Sequence, residues 1–284
     1  MSLRRVLVAA ATIALAGAGL VAATTAGPAS AATSVPKFDH IVLVMFENHA
    51  STQITSSAAP YFNNLAAQGA KFSQSYAITH PSQPNYIALF SGSTQGVTSD
   101  SCPKSFGANN LGAQLIAAKL SFKSYSEDMP SNGYTGCTSG KYARKHNAAP
   151  DFTNVPASSN VMFSTFPSSS NYASLPTVSF VDPDLCNDMH DCSVGTGDNW
   201  LKSHMDAYAQ WAKTHNSLLI VTFDEDNSAS LNHIYTSFVG AHVKAGTYSE
   251  KITHYTVLRT LEASYGLSAI GSAASVSPIT DVWN

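Results

Sequence analysis

Charge is scarce in this chain, and none of it is in positive excess. Asp, Glu, Lys and Arg make up only 12% of its 284 residues, and 15 basic residues face 18 acidic ones for a net charge of −3. A chain of this balance offers no broad electrostatic footprint to a nucleic-acid backbone, so nucleic acid is excluded as the expected partner. Apolar runs of membrane length are missing after the N-terminus, which leaves no stable membrane anchor to expect. The four cysteines contain no Cys-x-x-Cys pair, against zinc held through sulfur. The nearest approach to a G-x-S-x-G elbow is Gly92-Ser93-Thr94-Gln95-Gly96, with Thr94 where the serine belongs, so an ordinary serine-hydrolase motif is absent. No internal repeat is present.

The one long apolar stretch opens the chain. Arg4 and Arg5 precede an apolar run from Val6 to about Val21, and Ala29-Ser30-Ala31 forms a small-residue cleavage pattern. Residues 1–31 are therefore expected to be an export signal, 32–37 a flexible leader and 38–284 a single catalytic domain, secreted and monomeric. Losing the signal removes two Arg and no acid, moving the formal charge from −3 to −5. Roughly 250 remaining residues suit one α/β domain with a sizeable core. Outside the cell, Cys102, Cys137, Cys186 and Cys192 are expected to form two disulfides. Cys102–Cys137 with Cys186–Cys192 is the favoured pairing, because the second pair closes a short loop.

Along the mature chain, buried strands alternate with amphipathic helices. Phe38–Phe46, Lys71–Ile78, Leu175–Val181, Ser217–Phe223 and Tyr235–Val239 read as strands. Helices are expected over Pro60–Gly69, from Pro84 towards Gly92, and over Asn110–Leu120, Asp198–His215 and His254–Tyr265. The alternation predicts an α/β fold with a mostly parallel sheet flanked by helices. Between Ser126 and Asn171 the chain is rich in Ser, Asn, Gly and Pro, and so long an irregular stretch inside a domain usually covers a site.

Chemistry gathers where strands end. Phe46 runs into Glu47-Asn48-His49, Val181 into Asp182, Asp184 and His190, and Phe223 into Asp224-Glu225-Asp226. An acid after a strand commonly caps the next helix or solvates a turn. Three such clusters at one sheet edge would repel one another unless a cation lay among them. The oxygen-rich set suits calcium, magnesium or manganese, and His190 would admit zinc. Ser82, held between Pro81 and Pro84 at a helix start, is the candidate nucleophile. His80 is a candidate substrate contact, and the irregular segment adds the cations and imidazole of Tyr142-Ala143-Arg144-Lys145-His146-Asn147.

Glu47-Asn48-His49, the HPSQPNY segment His80–Tyr86, the Tyr142–Asn147 segment, the acidic run Asp182–Asp191 and Phe223–Asp226 together resemble the bacterial phosphoesterase family of secreted acid phosphatases and non-specific phospholipases C. Within it, the chain is most similar to the shorter actinobacterial acid phosphatases that act on phosphoinositides. The resemblance implies an alkaline-phosphatase-like α/β core, with Ser82 in the nucleophile pattern Ser82-Gln83-Pro84-Asn85. It implies metal ligands at Glu47, Asn48, Asp224 and Glu225, with Asp184 and His190 matching a further Asp and His. Asp-His stands in two-metal relatives where this chain has Asp224-Glu225, and His233, His242 and His254 are all open as a last ligand. Asn48 is also an expected donor to the phosphoryl group, His146 or His190 the acid for the leaving group, and His80, Asn85, Arg144 and Lys145 the substrate contacts. The implied activity is a metal-dependent phosphomonoesterase, of acid phosphatase or phosphatidylinositol-3-phosphatase type, working through a phosphoserine. A phospholipase C-type phosphodiesterase and a non-catalytic cation- or glycan-binding protein are the alternatives.

Overall fold

A nearly unbroken apolar run must lie between two covered faces, and β1 (His40–Phe46) does. In this computed structural model Ile41, Leu43 and Met45 enter one hydrophobic cluster, while Val42, Val44 and Phe46 enter a second on the opposite face. The structure describes Met1 and residues 34–284. The expected export signal, Met1 apart, and the start of the leader lie outside the described residues.

After β1 come α1 (Pro60–Ala67), opened by a proline, then β2 (Ala70–Tyr76) and α2 (Ser82–Ser91), every residue of which is buried. α3 (Leu111–Ala117) is capped by Asn110, whose side chain accepts from Ala113 N at 2.8 Å. There follow β3 (Phe122–Ser126), a small hairpin of β4 (Thr138–Ser139) and β5 (Tyr142–Ala143), and β6 (Asn160–Met162). The chain closes with β7 (Val178–Asp182), α4 (Val194–Ala212), β8 (Ser217–Phe223), β9 (His233–Gly240), β10 (Gly246–Thr253) and α5 (His254–Ser264).

Eight strands form one sheet in the order β10-β2-β9-β8-β1-β7-β3-β6. All neighbours are parallel except at β9, which runs antiparallel to β8 and β2. The connection from β8 to β9 is too short for a crossover helix, so the chain must turn straight back. Apolar residues of α2, α3 and α5 cover one face, and those of α1 and α4 the other. Each large apolar side chain so buried contributes about 1.5–3 kcal/mol. This is the α/β architecture expected from the alternation.

Three strands of the eight-stranded sheet, and both strands of the small hairpin, escaped the pattern reading. β10 is an edge strand with most side chains exposed or half-exposed, and β3 interrupts its apolar positions with Lys123 and two serines. β6 is only three residues long. Predicted ends moved by up to four residues; α2 begins at Ser82, not Pro84. Its stop is Gly92, with φ +71°, where a side chain would run into the Ile270 carbonyl. Between Ser126 and Asn171 only β4, β5, β6 and short 3-10 turns occur. Both favoured disulfides, Cys102–Cys137 and Cys186–Cys192, are formed. Among the described residues no helix is long and apolar enough to cross a membrane.

Candidate active site

In a parallel sheet every strand ends at the same edge, so neighbouring strands deliver the residues just past their C-terminal ends to one place. The order β8-β1-β7 sets Asp224, Glu47 and Asp182 side by side, although they are scattered through the chain. Ser82 arrives at that edge as the first residue of α2. There the unpaired amides and the helix dipole favour negative charge, on an ionised hydroxyl or on a phosphate.

Ser82 Oγ lies 2.8 Å from Glu47 Oε2 and 3.3 Å from Glu225 Oε1, and is 2% exposed. The other Glu47 oxygen accepts from Tyr86 OH at 2.7 Å. His146 Nε2 stands 3.0 Å from that same oxygen but off the line of a hydrogen bond, while its Nδ1 is 3.0 Å from Asp188 Oδ2. Tyr86 stacks on His146, with ring planes 11° apart. The Asn48 backbone N–H donates to Asp224 Oδ1 at 3.1 Å. At the rim, His80 is paired with Glu225 at 2.8 Å and Asp226 at 3.3 Å. Lys145 Nζ reaches Asp100 Oδ2 at 3.1 Å and His190 Nε2 at 3.2 Å.

Burial raises the Glu47 carboxyl, and the His146 charge only partly opposes it. Asp224 is driven up strongly by burial, then by Glu47 and Glu225. Glu225 is pushed up to about 8 by burial and by Glu47 and Asp100, and burial takes His146 down to about 4. Packed acids of this kind are poised for a cation, which would bring the raised carboxyls back down and keep the imidazole of His146 neutral. Among the buried atoms without a hydrogen-bond partner are Asp224 Oδ2 and His146 Nε2. Ligand atoms of Glu47, His146 and His190 lie within 4.8 Å of one another, a separation that fits one metal ion. Glu47, His146 and His190 therefore form a donor set that fits one divalent cation.

Not every expected residue arrives. Asp184 does not join the acids; its carboxylate takes the amides of Cys186 and Asn187 and caps its own turn. Arg144, expected at substrate beside Lys145, is buried: its guanidinium holds Asp151 and the carbonyls of Thr135, Lys104 and Pro150. Asn85 accepts from Ile78 N and Thr79 N and donates to Thr79 O, which fixes the turn before Ser82, and its side-chain amide also reaches Glu225 Oε2 at 3.4 Å. Of the three open histidines, His254 meets the Asp224 carbonyl, 2.6 Å away, whereas His233 meets Ser73 and His242 meets Asn216. Sequence reasoning missed Tyr86, Asp188 and Asp100. Tyr86 carries a legible signal, one helical turn after Ser82 on the same face; Asp188 and Asp100 sit in loops without periodicity.

A model of the Phosphoesterase family matches residues 52–268. The chain belongs to the Phosphoesterase family. As a phosphoesterase it is a phosphoric ester hydrolase, and its relatives bear on the finer reading. It is 52% identical over 255 residues to a phosphatidylinositol-3-phosphatase of Mycobacterium tuberculosis, over 89% of this chain and 85% of that one. It is 32% identical over 270 residues to a phosphate-repressible acid phosphatase of Penicillium chrysogenum, over 88% of this chain and 65% of the longer relative. Among solved structures, the phosphoesterase is similar to an alkaline phosphatase superfamily protein of Vibrio parahaemolyticus, with a TM-score of 0.59 and 15% identity over 87% of this chain and 72% of that one. It is also similar to murine ectonucleotide pyrophosphatase/phosphodiesterase 5, with a TM-score of 0.53 and 10% identity over 81% and 96% of the two chains. At these identities the likeness is one of fold, and the fold is the alkaline-phosphatase-like one expected.

Proposed function

We propose that this phosphoesterase is a secreted, metal-dependent phosphomonoesterase of acid phosphatase type, using Ser82 as nucleophile and forming a phosphoserine. The observation that carries the reading is Ser82 Oγ, at the first turn of α2, within hydrogen-bond reach of both Glu47 and Glu225. Two disulfides among the described residues support an exported protein. The phosphatase names of its relatives support a monoester substrate, and the more similar of the two supports a phosphoinositide among them.

Glu47, Asp224 and Glu225, with Asn48, would hold a cation beside Ser82, and His146 and His190 with Glu47 would hold one on the other side. When bound, it supplies positive charge that favours the ionised serine and offsets charge on the phosphoryl group. The chain's residues do the rest. Glu47, the nearer of the two acceptors, takes the Ser82 proton, and Glu225 on the other side helps to aim Oγ. Ser82 Oγ forms a bond to phosphorus in line as the bond to the ester oxygen breaks, and the leaving alkoxide takes a proton from His190. Lys145 and His190, paired and half-exposed, face the phosphate and the departing oxygen. His80 closes the rim above Glu225. Water then cleaves the phosphoserine, releasing inorganic phosphate and restoring the hydroxyl.

Phosphate release from p-nitrophenyl phosphate and from phosphatidylinositol 3-phosphate, across pH 4 to 9 with and without chelator, tests the reading. Chelator-sensitive release from the first substrate is expected, and release from the second extends it to lipids. Turnover that survives exhaustive chelation refutes metal dependence. Release of phosphocholine from phosphatidylcholine without phosphate release would make the protein a phospholipase C.

A further inference from the structure

The amide of Gln83 directly follows Ser82 in the first turn of α2, where a helix has no internal partner to offer and an anion is welcome. An anion is already there, and it belongs to the chain. Asp100 Oδ1 accepts from Gln83 N at 2.9 Å, and Asp100 Oδ2 accepts from Lys145 Nζ at 3.1 Å. One carboxylate thus engages both the amide beside the nucleophile and the ammonium assigned above to phosphate. Two oxygens, a negative charge and this spacing are also what a phosphate group would present to the same pair.

The backbone around Asp100 is held on both sides, while its side chain borders solvent. In the amide orientation that satisfies both ends, the Gln83 side chain donates to Ser99 O at 3.2 Å and Ser101 O at 3.1 Å, on either side of Asp100. Cys102, two residues on, is tied to Cys137. The Asp100 side chain itself is 29% exposed and that of Lys145 21%, so the carboxylate has solvent to turn into.

We propose that Asp100 is an autoinhibitory residue, an internal anion that occupies the phosphate subsite and must be displaced by the phosphate of substrate or product. This inference rests on the reading of the Ser82 cleft as a phosphomonoesterase site. Its consequence is a raised KM and weakened inhibition by inorganic phosphate, since every bound phosphate must first break the Asp100–Lys145 pair. A pair this exposed corresponds to a factor of about three to five in affinity.

The test is equilibrium binding of inorganic phosphate, by calorimetry, to the full chain carrying Ser82→Ala with and without Asp100→Asn. Asn can still accept from Gln83 N but cannot hold the ammonium as a charge, so the fold is kept and an unchanged melting temperature confirms it. Phosphate is expected to bind the Asp100→Asn protein about three- to fivefold tighter. The gain should vanish when Lys145→Met is also present, because the two residues act as a pair. Unchanged or weaker binding overturns the proposal and makes Asp100 a residue that merely holds Lys145. A gain that persists without Lys145 overturns it too, since charge alone would then explain it. Turnover by the Ser82→Ala protein would refute the nucleophile assignment while leaving this binding comparison intact.

Discussion

Glu47 Oε2 and Ser82 Oγ lie 2.8 Å apart across 35 residues of chain, joining the end of the central strand to the first turn of α2. The contact exists because β1 ends and α2 begins at the same edge of the sheet. Glu47 has a second anchor in Tyr86 OH, so its carboxylate stays held when Ser82 is changed.

Ser82→Ala is therefore expected to lower turnover of p-nitrophenyl phosphate by about 10³-fold or more, as loss of an attacking group does. Stability should change by no more than about 1 kcal/mol, the size of one hydrogen bond. Steady-state kinetics beside a thermal melt checks both; turnover within tenfold of the parent would refute the assignment.

Asp224→Asn keeps an acceptor for the Asn48 amide but removes a charge whose Oδ2 has no partner. A cation at 100 times its dissociation constant stabilises the parent by about 2.7 kcal/mol. Adding calcium, magnesium or manganese, which seek oxygen ligands, to chelator-treated protein should raise the melting temperature of the parent and leave that of the variant almost unmoved. Equal metal-induced shifts in both would place the ion elsewhere.

Arg144 and Lys145 are neighbours with opposite roles. Arg144→Met strands the buried Asp151 carboxylate and is expected to cost about 3–5 kcal/mol. Lys145→Met should leave the melting temperature within a few degrees and raise KM instead. Denaturant melts and KM values for the two variants separate these outcomes, and a large stability loss in both would contradict the assignment.

Glu262 supplies a pH dependence remote from the cleft. Its side chain is fully buried, accepts from Ile270 N at 2.9 Å, and is raised from its ordinary 4.5 to about 7 by burial. Between those values the folded protein keeps a proton that the unfolded chain releases, so stability falls as pH rises through this window. Glu262→Gln retains the acceptor and removes the penalty. Above pH 7 it should stabilise the protein by on the order of 1–3 kcal/mol, about 2–4 °C per kcal/mol, and flatten the decline between about pH 4.5 and 7. A variant that melts lower than the parent at pH 8 would refute this account.

The Cys186–Cys192 disulfide closes the loop that holds Asp188 beneath His146 and sets His190 beside Lys145. Replacing both cysteines by serine is expected to cost about 2 kcal/mol or less, since the closed loop is short. Activity should fall by more than that stability loss explains, because the loop carries site residues. Intact kcat and KM in the variant would show that the loop holds its shape without the bond.

Much of this was legible from local pattern. The apolar run of β1 could only be a buried strand, and Gly92 and the prolines around Ser82 marked a helix following closely on a held hydroxyl. The acids after β1, β7 and β8 and the short Cys186–Cys192 loop were equally plain. These features rest on interactions within about ten residues, which the order of residues contains.

The tertiary structure alone decided which of the gathered groups meet. That Asp188, and not Asp184, supports His146 comes from the way the Asp184 carboxylate is taken up by its own turn. That Lys145 reaches the cleft while Arg144 turns inward comes from the buried Asp151 and three backbone carbonyls on one side of a 3-10 turn. Contacts spanning tens of residues depend on strand order and on where loops without periodicity come to rest. Those are set by packing across the whole sheet, and no local stretch of sequence encodes them.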